Sequence, residues 1–348
     1  MSDVTDTTVG SRNEHPAGEA DGGGAGPPRR KRRVRRIALV TLGSILGLVA
    51  ALAVGSYAYV NHVVSSIPRI PVAYLVPANA PGSGAGQTFL VTSSQVGPTG
   101  DAVRDPSLGN QSNVVMLLHI DADGKHGGAV AIPQDTVVNV PGSGARTLSY
   151  ALEKGGPSLL VHTISQVTGI AINHYAQVDF NHIAKLVNAI GGVDITIPRA
   201  SRSFGHTFSA GVNHLTGVTA IYYAREPSLS DQGRTLRQAN LFRVVLTKIA
   251  DDHLLTNPVT MVRVLNSITS ALTVDSNMTN SDVESLVRNF SHLGGSAGTF
   301  VVAPTRTVSG KLVLSAPVAG QLWTAIKHDS IAAFARQYPA TVTPVSVP

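Results

Sequence analysis

Arg225, Asp231, Arg234, Arg237 and Gln238 fall within one short stretch, "REPSLSDQGRTLRQ". A Ser-Asp pair opens the apolar-periodic segment 230–254 as a helix-capping signal. Asp231, Arg234, Arg237 and Gln238 would then occupy the first turns of a long helix, with Arg234 and Gln238, four apart, on one face. The start of a helix presents unpaired amide groups and a partial positive charge, and guanidinium groups add forked donors. That combination suits a phosphate or pyrophosphate. The same spacing also fits an aspartate cap ringed by surface arginines. A second polar corner, Gln134-Asp135-Thr136, interrupts "GAVAIPQDTVVNVPG" (128–142) between two apolar runs and carries no positive charge.

Other signatures are missing from the sequence: there is no His-Glu-x-x-His, no Gly-x-Ser-x-Gly, no Walker loop and no Cys/His metal spacing. The absence of Cys excludes disulfides, thiolate metal sites and a cysteine nucleophile. The twelve histidines are scattered, and single ones such as His162 and His182 read as structural side chains.

The elements that must position these residues alternate. Strands are expected at 88–91, 113–121, 174–180 and 193–198, with "GAVAIP" and "TVVNVP" as a hairpin-like pair. Helices are expected over 156–169, where Leu159, Leu160, Ile164 and Val167 share a face and Gly169 is a stop, and over 181–192, 215–226 and 230–254. The tail adds a helix near 281–290, strands at 299–304 and 311–317, and a helix within 319–338. This order indicates an α/β domain, a partly parallel sheet covered by helices.

The net charge of +6 and pI near 9.7 invite a nucleic-acid reading, but the charge is local. "RRKRRVRR" (29–36) holds seven basic residues, and taking those seven from +6 leaves about −1 for the rest. No nucleic-acid partner is expected. Residues 37–60 follow without a charge. At about 1.5 Å per residue such a helix covers roughly 30 Å, the hydrocarbon thickness of a bilayer, and Tyr57 and Tyr59 stand at its outer end. A buried core helix or a cleaved signal peptide are the alternatives. The basic flank and the length favour a single transmembrane anchor, with the N-terminus cytoplasmic and the main domain outside the cell membrane. The expected organisation is therefore a disordered basic tail (1–36), a transmembrane helix (37–60), an extended stalk or edge segment (61–87), a main domain (88–254) and a C-terminal α/β extension (255–348) that extends the same sheet or packs on the domain as an appendage.

The series "VVMLLHID", "AVAIPQDTVVNVPG", "LSYALEKGGPSLLVHTISQVTGIAINHYAQVDF", "LVNAIGGVDITIP", "HLTGVTAIYYARE" and "DQGRTLRQ" resembles the LytR-CpsA-Psr (LCP) family, in the family's order and near its spacing, over about 88–250. The resemblance implies an LCP-like α-β-α sandwich with a central mixed sheet. It also implies an extracellular, membrane-anchored protein that transfers a glycopolymer such as teichoic acid, capsule or arabinogalactan from a polyprenyl-pyrophosphate carrier to peptidoglycan in cell wall biogenesis. Its partners would be the lipid-linked glycan and peptidoglycan. An apolar pocket would take the prenyl chain, arginines at its mouth the pyrophosphate, and aspartates Mg²⁺.

Carried over by position, Arg225, Asp231, Arg234 and Gln238 keep the family's residue types; Arg225, Arg234 and Asp231 are the catalytic candidates. Gln134, Asp135, Arg237, Gln238 and Gln111 are the substrate-binding candidates. At the Arg-Asp-Thr corner, Asp135 and Thr136 match but the arginine is Gln134. The family's Arg-Ser-Asp-Thr falls on Gln111-Ser112-Asn113-Val114, its first aspartate on Ser94, and its second Arg-x-Arg arginine on Pro227. Ser94 and Asn113 would offer Mg²⁺ neutral oxygens where this hard cation usually takes one or two carboxylates, so Mg²⁺ is expected to be weak or absent. Asp101, Arg104 and Asp105 stand in the intervening loop as potential substitutes. The competing reading is a non-catalytic relative that binds a polyprenyl (pyro)phosphate lipid or cell-wall glycan.

Overall fold

The computed structural model describes residues 55, 58–78, 80, 86–94, 114–254, 257–293 and 298–347. Residues from Tyr59 onward form one compact unit. The anchor expected at 37–60 falls almost wholly outside the described residues, and the basic tail entirely so. Among the described residues no helix is long and apolar enough to cross a membrane.

Seven strands form the central sheet, in the order β1 (Arg69–Ile70), β12 (Leu272–Asp275), β7 (His174–Asp179), β2 (Gln87–Ser94), β3 (Val115–Ile120), β4 (Gly127–Ile132) and β13 (Gly298–Val302). Pairings β1–β12, β7–β2 and β4–β13 are parallel and the other three antiparallel, so the sheet is mixed. Side chains alternate across a pleated strand, and here each face is apolar. Leu90, Leu117, Val130, Tyr175 and Val301 point to one side, onto α2 (Leu148–Thr168), α8 (Ala316–Lys327) and α9 (Ile331–Gln337). Phe89, Met116, Ala131, Ala176 and Phe300 point to the other, towards α5 (Asp231–Asp251) and α7 (Asn280–Leu293). The result is a three-layer α-β-α sandwich.

Beside it, α3 (Phe180–Ala189), α4 (Gly217–Ala224), α6 (Pro258–Ala271) and the ribbon β8–β11 (Val193–Ile197 with Gly211–Leu215) build a third apolar cluster. Helix α5 serves both clusters. Ala239 and Leu246 join the sheet face, while Leu241, Val245 and Ile249 join the third cluster.

Three expectations are corrected. The runs "GAVAIP" and "TVVNVP" do not pair with each other: β4 enters the main sheet, and β5 (Val137–Val140) pairs with β6 (Gly144–Thr147). Pro133 ends β4, and Gly142 and Gly144, at φ 72° and 69°, make the tight turn one strand later. The helix expected at 156–169 starts at Leu148 with Thr147 as its cap and bends at Gly156-Pro157, where Gly156 has φ 63°. Of the two readings of 61–87 the stalk is corrected and the edge segment holds: residues 59–65 are helical (α1), Val64 and Ile67 are buried in the sheet-face core, and β1 is the edge strand of the sheet. The tail likewise supplies β12 and β13 to the sheet, with β14 (Thr305–Val308) and β15 (Lys311–Leu314) as a separate hairpin. Short strands β9 (Ser201–Ser203) and β10 (His206–Phe208) pair with each other.

Candidate functional site

Helix α5 begins at Asp231, with Ser230 as N-cap: its hydroxyl accepts from the Gly233 amide at 3.2 Å. The cap fixes the first turn against the Gln134–Thr136 corner. The Asp135 amide donates to Asp231 Oδ2 at 3.3 Å, and the Gln134 side chain hydrogen-bonds the same carboxylate. Two distant segments are thus joined through one aspartate.

That carboxylate is uncomfortable. Burial pushes the Asp231 pKa above its ordinary 3.8, and the charge of Asp135 pushes it further, against the pull of the Asp135 amide, Arg234 and Gln134. Arg234 stands 3.7 Å from Asp231 Oδ1, and its Nη1 donates to the Leu229 carbonyl at 2.7 Å. Its Nε is buried with no hydrogen-bond partner among the described residues. The ion pair is loose and the guanidinium keeps a donor in reserve.

Gln134, Asp231, Arg234, Thr235 and Gln238 line one small recess of about 280 Å³. Behind it opens a chamber of about 1030 Å³ between the sheet and helices α3, α5 and α6. Its walls are almost wholly apolar: Val91, Val178, Ile183, Leu186, Leu241, Phe242 and Val245 are typical. Val114, Met116 and Gln238 line both spaces. An acid-base-amide mouth therefore abuts a greasy cavity.

Arg225 caps the C-terminal end of α4 and is buried. Burial lowers its pKa while the charge of Asp179 raises it. Asp179, also buried, ends β7 directly in register with Ser94 of β2, and accepts from His182 Nδ1 at 2.9 Å. Neither Asp179 nor His182 was read from the sequence as part of a site. The legible signal was positional, because Asp179 closes an alternating strand and His182 follows at three residues' distance.

Arg237 does not join the mouth. It is 1% exposed, lies 4.8 Å from the Tyr223 ring centre, donates to the Tyr223 carbonyl at 3.2 Å and meets Glu226 at 3.5 Å. Its position on the helix faces α4, so it holds the two helices together. Asp135 is exposed beside the recess, contributing its backbone amide. Gln111, Asn113, Asp101, Arg104 and Asp105 lie outside the described residues, as does the side chain of Ser94.

A family model for LytR_cpsA_psr matches residues 89–319, well over half of the chain. The chain belongs to the LytR-CpsA-Psr family. It is 27% identical, over 76% of its length, to the probable cell wall biosynthesis protein LcpB of Corynebacterium glutamicum, and covers 64% of that protein. It is also 27% identical to the polyisoprenyl-teichoic acid–peptidoglycan teichoic acid transferase TagU of Bacillus mycoides, over 59% of this chain and 69% of that one. The structure of a LytR-Csp2A-Psr enzyme from Actinomyces oris superposes with a TM-score of 0.60 at 21% identity, covering 75% of this chain and 96% of the other. That likeness establishes the LCP fold for the sandwich described above.

Family membership raises the question of Mg²⁺. Of the carboxylates described near the mouth, Asp179 faces an imidazole and a guanidinium, and Asp231 already accepts from Gln134 and the Asp135 amide. The two positions to which the resemblance carries metal-binding aspartates hold Ser94 and Asn113. Among the described residues the donor set does not fit a hard divalent cation that depends on uncommitted carboxylates.

Proposed function

We propose that this LCP protein is a membrane-anchored, extracellular transferase that moves a glycopolymer from a polyprenyl-pyrophosphate carrier to peptidoglycan. The observation that carries the reading is the shared wall between the Arg234 recess and the apolar chamber. A molecule with a long hydrocarbon tail and a multiply charged headgroup satisfies both spaces at once. The tail would fill the chamber, and the headgroup would sit between Arg234, Gln238 and the start of α5. The fixed Arg234 guanidinium there would stabilise negative charge as it develops on the leaving pyrophosphate. Arg225 is buried and lines neither space, so it would act on the same charge only through its field. The sequence of residues 37–60 supports the anchor, and the LcpB and TagU relatives support the chemistry. The reaction would proceed with little help from Mg²⁺.

Gln134 favours a second reading. It spends its side chain on Asp231 and brings no charge, so the mouth grips an anion more weakly than an arginine there would. The chain would then bind the polyprenyl pyrophosphate without cleaving it. Full-length protein in detergent, given a polyprenyl-pyrophosphate-linked glycan with and without Mg²⁺, separates the two. Release of the lipid product at a rate insensitive to EDTA supports transfer. Tight binding with no release supports the binder, and there the combined Ser94→Asp, Asn113→Asp and Gln134→Arg variant should gain Mg²⁺-dependent turnover. Loss of neither binding nor release in Arg234→Ala would sink both.

A further inference from the structure

The far end of β3, away from the chamber, carries a second constellation. His119 is 4% exposed and presents Nε2 towards Asp329 Oδ1 at 2.7 Å and Asp121 Oδ1 at 3.8 Å. Asp121 follows β3, and Asp329 sits in the turn between α8 and α9, 210 residues from the histidine. One ligand atom from each lies within 4.8 Å of the other two. A four-coordinate ion with bonds of about 2.0–2.1 Å keeps its ligand atoms about 3.3 Å apart. The two distances from Nε2, 2.7 and 3.8 Å, fall on either side of that value.

Three further observations point the same way. Asp121 Oδ1 is shielded from solvent and accepts no hydrogen bond among the described residues, although it faces the imidazole edge. His119 Nδ1 is held by Thr88 Oγ1 at 2.9 Å, the outer-shell support that orients metal-bound imidazoles. Because a threonine hydroxyl can either donate or accept, the ring proton can move from Nε2 to Nδ1 and free Nε2 for a metal. Position 86 is glycine, and a Cβ there would fall 2.8 Å from Nε2 and Cε1.

We propose that His119, Asp121 and Asp329 form a divalent transition-metal site, taking Zn²⁺ or Mn²⁺ in preference to Mg²⁺, that clamps the α8–α9 turn to the sheet. One imidazole with two carboxylates suits such ions better than an all-oxygen cation. The two aspartates are 16% and 24% exposed, which leaves an approach for the ion and a place for water in the remaining positions. The site is independent of the transfer reaction, at the opposite end of β3 from Val115 at the recess.

The test uses EDTA-treated full-length protein titrated with Zn²⁺, Mn²⁺ and Mg²⁺ by calorimetry, and with Co²⁺ by visible absorption. The expected result is one Zn²⁺ or Mn²⁺ per chain, weaker Mg²⁺ binding, a Co²⁺ d–d band from mixed N/O ligands and a rise in thermal midpoint with metal. Asp121→Asn and Asp329→Asn should each weaken binding at least tenfold. Thr88→Val, which removes only the outer hydrogen bond, should weaken it by about 10–100-fold. Should His119→Ala not fold, the isosteric asparagine variants still decide the matter. Absence of a Co²⁺ band together with an unmoved midpoint overturns the site. So does stoichiometric Zn²⁺ binding that survives the Asp121→Asn/Asp329→Asn pair, because the ion would then sit on other side chains.

Discussion

Asp275 and Asp231 are the same residue type in two regions built to opposite ends. Asp275 is wholly buried at the end of β12, yet its pKa lies below 3.8. Burial alone would raise it, but His174 Nδ1 at 3.2 Å and the amides of Tyr175 and Asn277, each at 2.9 Å, more than offset the loss of water. Asp231 gathers fewer donors and a like charge at Asp135, and its pKa rises. A satisfied carboxylate welds β12 to β7 and contributes rigidity. A strained one holds a mouth together and leaves an arginine with spare donors. The difference separates scaffold from site more clearly than burial does, since both aspartates are shielded.

The largest effect should come from breaking the scaffold. Asp275→Ala strands two backbone amides and an imidazole, at about 1–3 kcal/mol for each lost acceptor. Urea denaturation should show roughly 5 kcal/mol of lost stability at neutral pH. The loss should shrink in acid: a carboxyl with a lowered folded pKa contributes stability that is present above 3.8 and disappears as pH falls through the folded value.

The two arginines of α5 sharpen the contrast. Removing Arg237 leaves Glu226 buried without its cation and empties the face of Tyr223, a change that should cost about 3–5 kcal/mol of stability. Arg234→Ala touches only a loose ion pair and one carbonyl contact. Its stability cost should stay near 1 kcal/mol, while binding of a polyprenyl pyrophosphate falls at least tenfold. If Arg237→Ala proved the stable variant and Arg234→Ala the unstable one, the division of labour along this helix would be reversed.

Much of this arrangement is legible in the residues. The alternation in "HYAQVDF", the glycine stop at Gly169 and the Ser-Asp cap at 230–231 all fold as their local chemistry dictates. Long-range partners are the part that local pattern does not carry. Nothing in "TVVNVP" says that it pairs forward with residues 144–147 and not back with β4. Nothing in "RTLRQ" says which arginine faces α4, because Arg234 and Arg237, three apart, differ by about 60° around a helix and either could meet a neighbour. The pairing of Asp179 with His182 and Arg225 spans a strand, a helix and a distant cap, and only the packed sheet brings those three together.

The smallest expected effect is the most diagnostic. Asp231→Asn keeps an acceptor for the Asp135 amide but removes a charge that burial and Asp135 both oppose. The variant should be more stable than the parent at neutral pH, by no more than about 1 kcal/mol once solvent screening is allowed for. A carboxyl whose folded pKa is raised penalises folding as pH climbs from 3.8 through the folded value. The advantage of the asparagine should accordingly vanish below pH 3.8 and reach a plateau above the folded pKa. Thermal melts of both proteins between pH 3 and 8 measure the crossover. A constant difference across that range would mean that Asp231 is no more strained than Asp275. Loss of turnover alongside the gain would place the strain in the service of the site, where a charge held against its preference can stabilise or release Arg234 as the headgroup arrives.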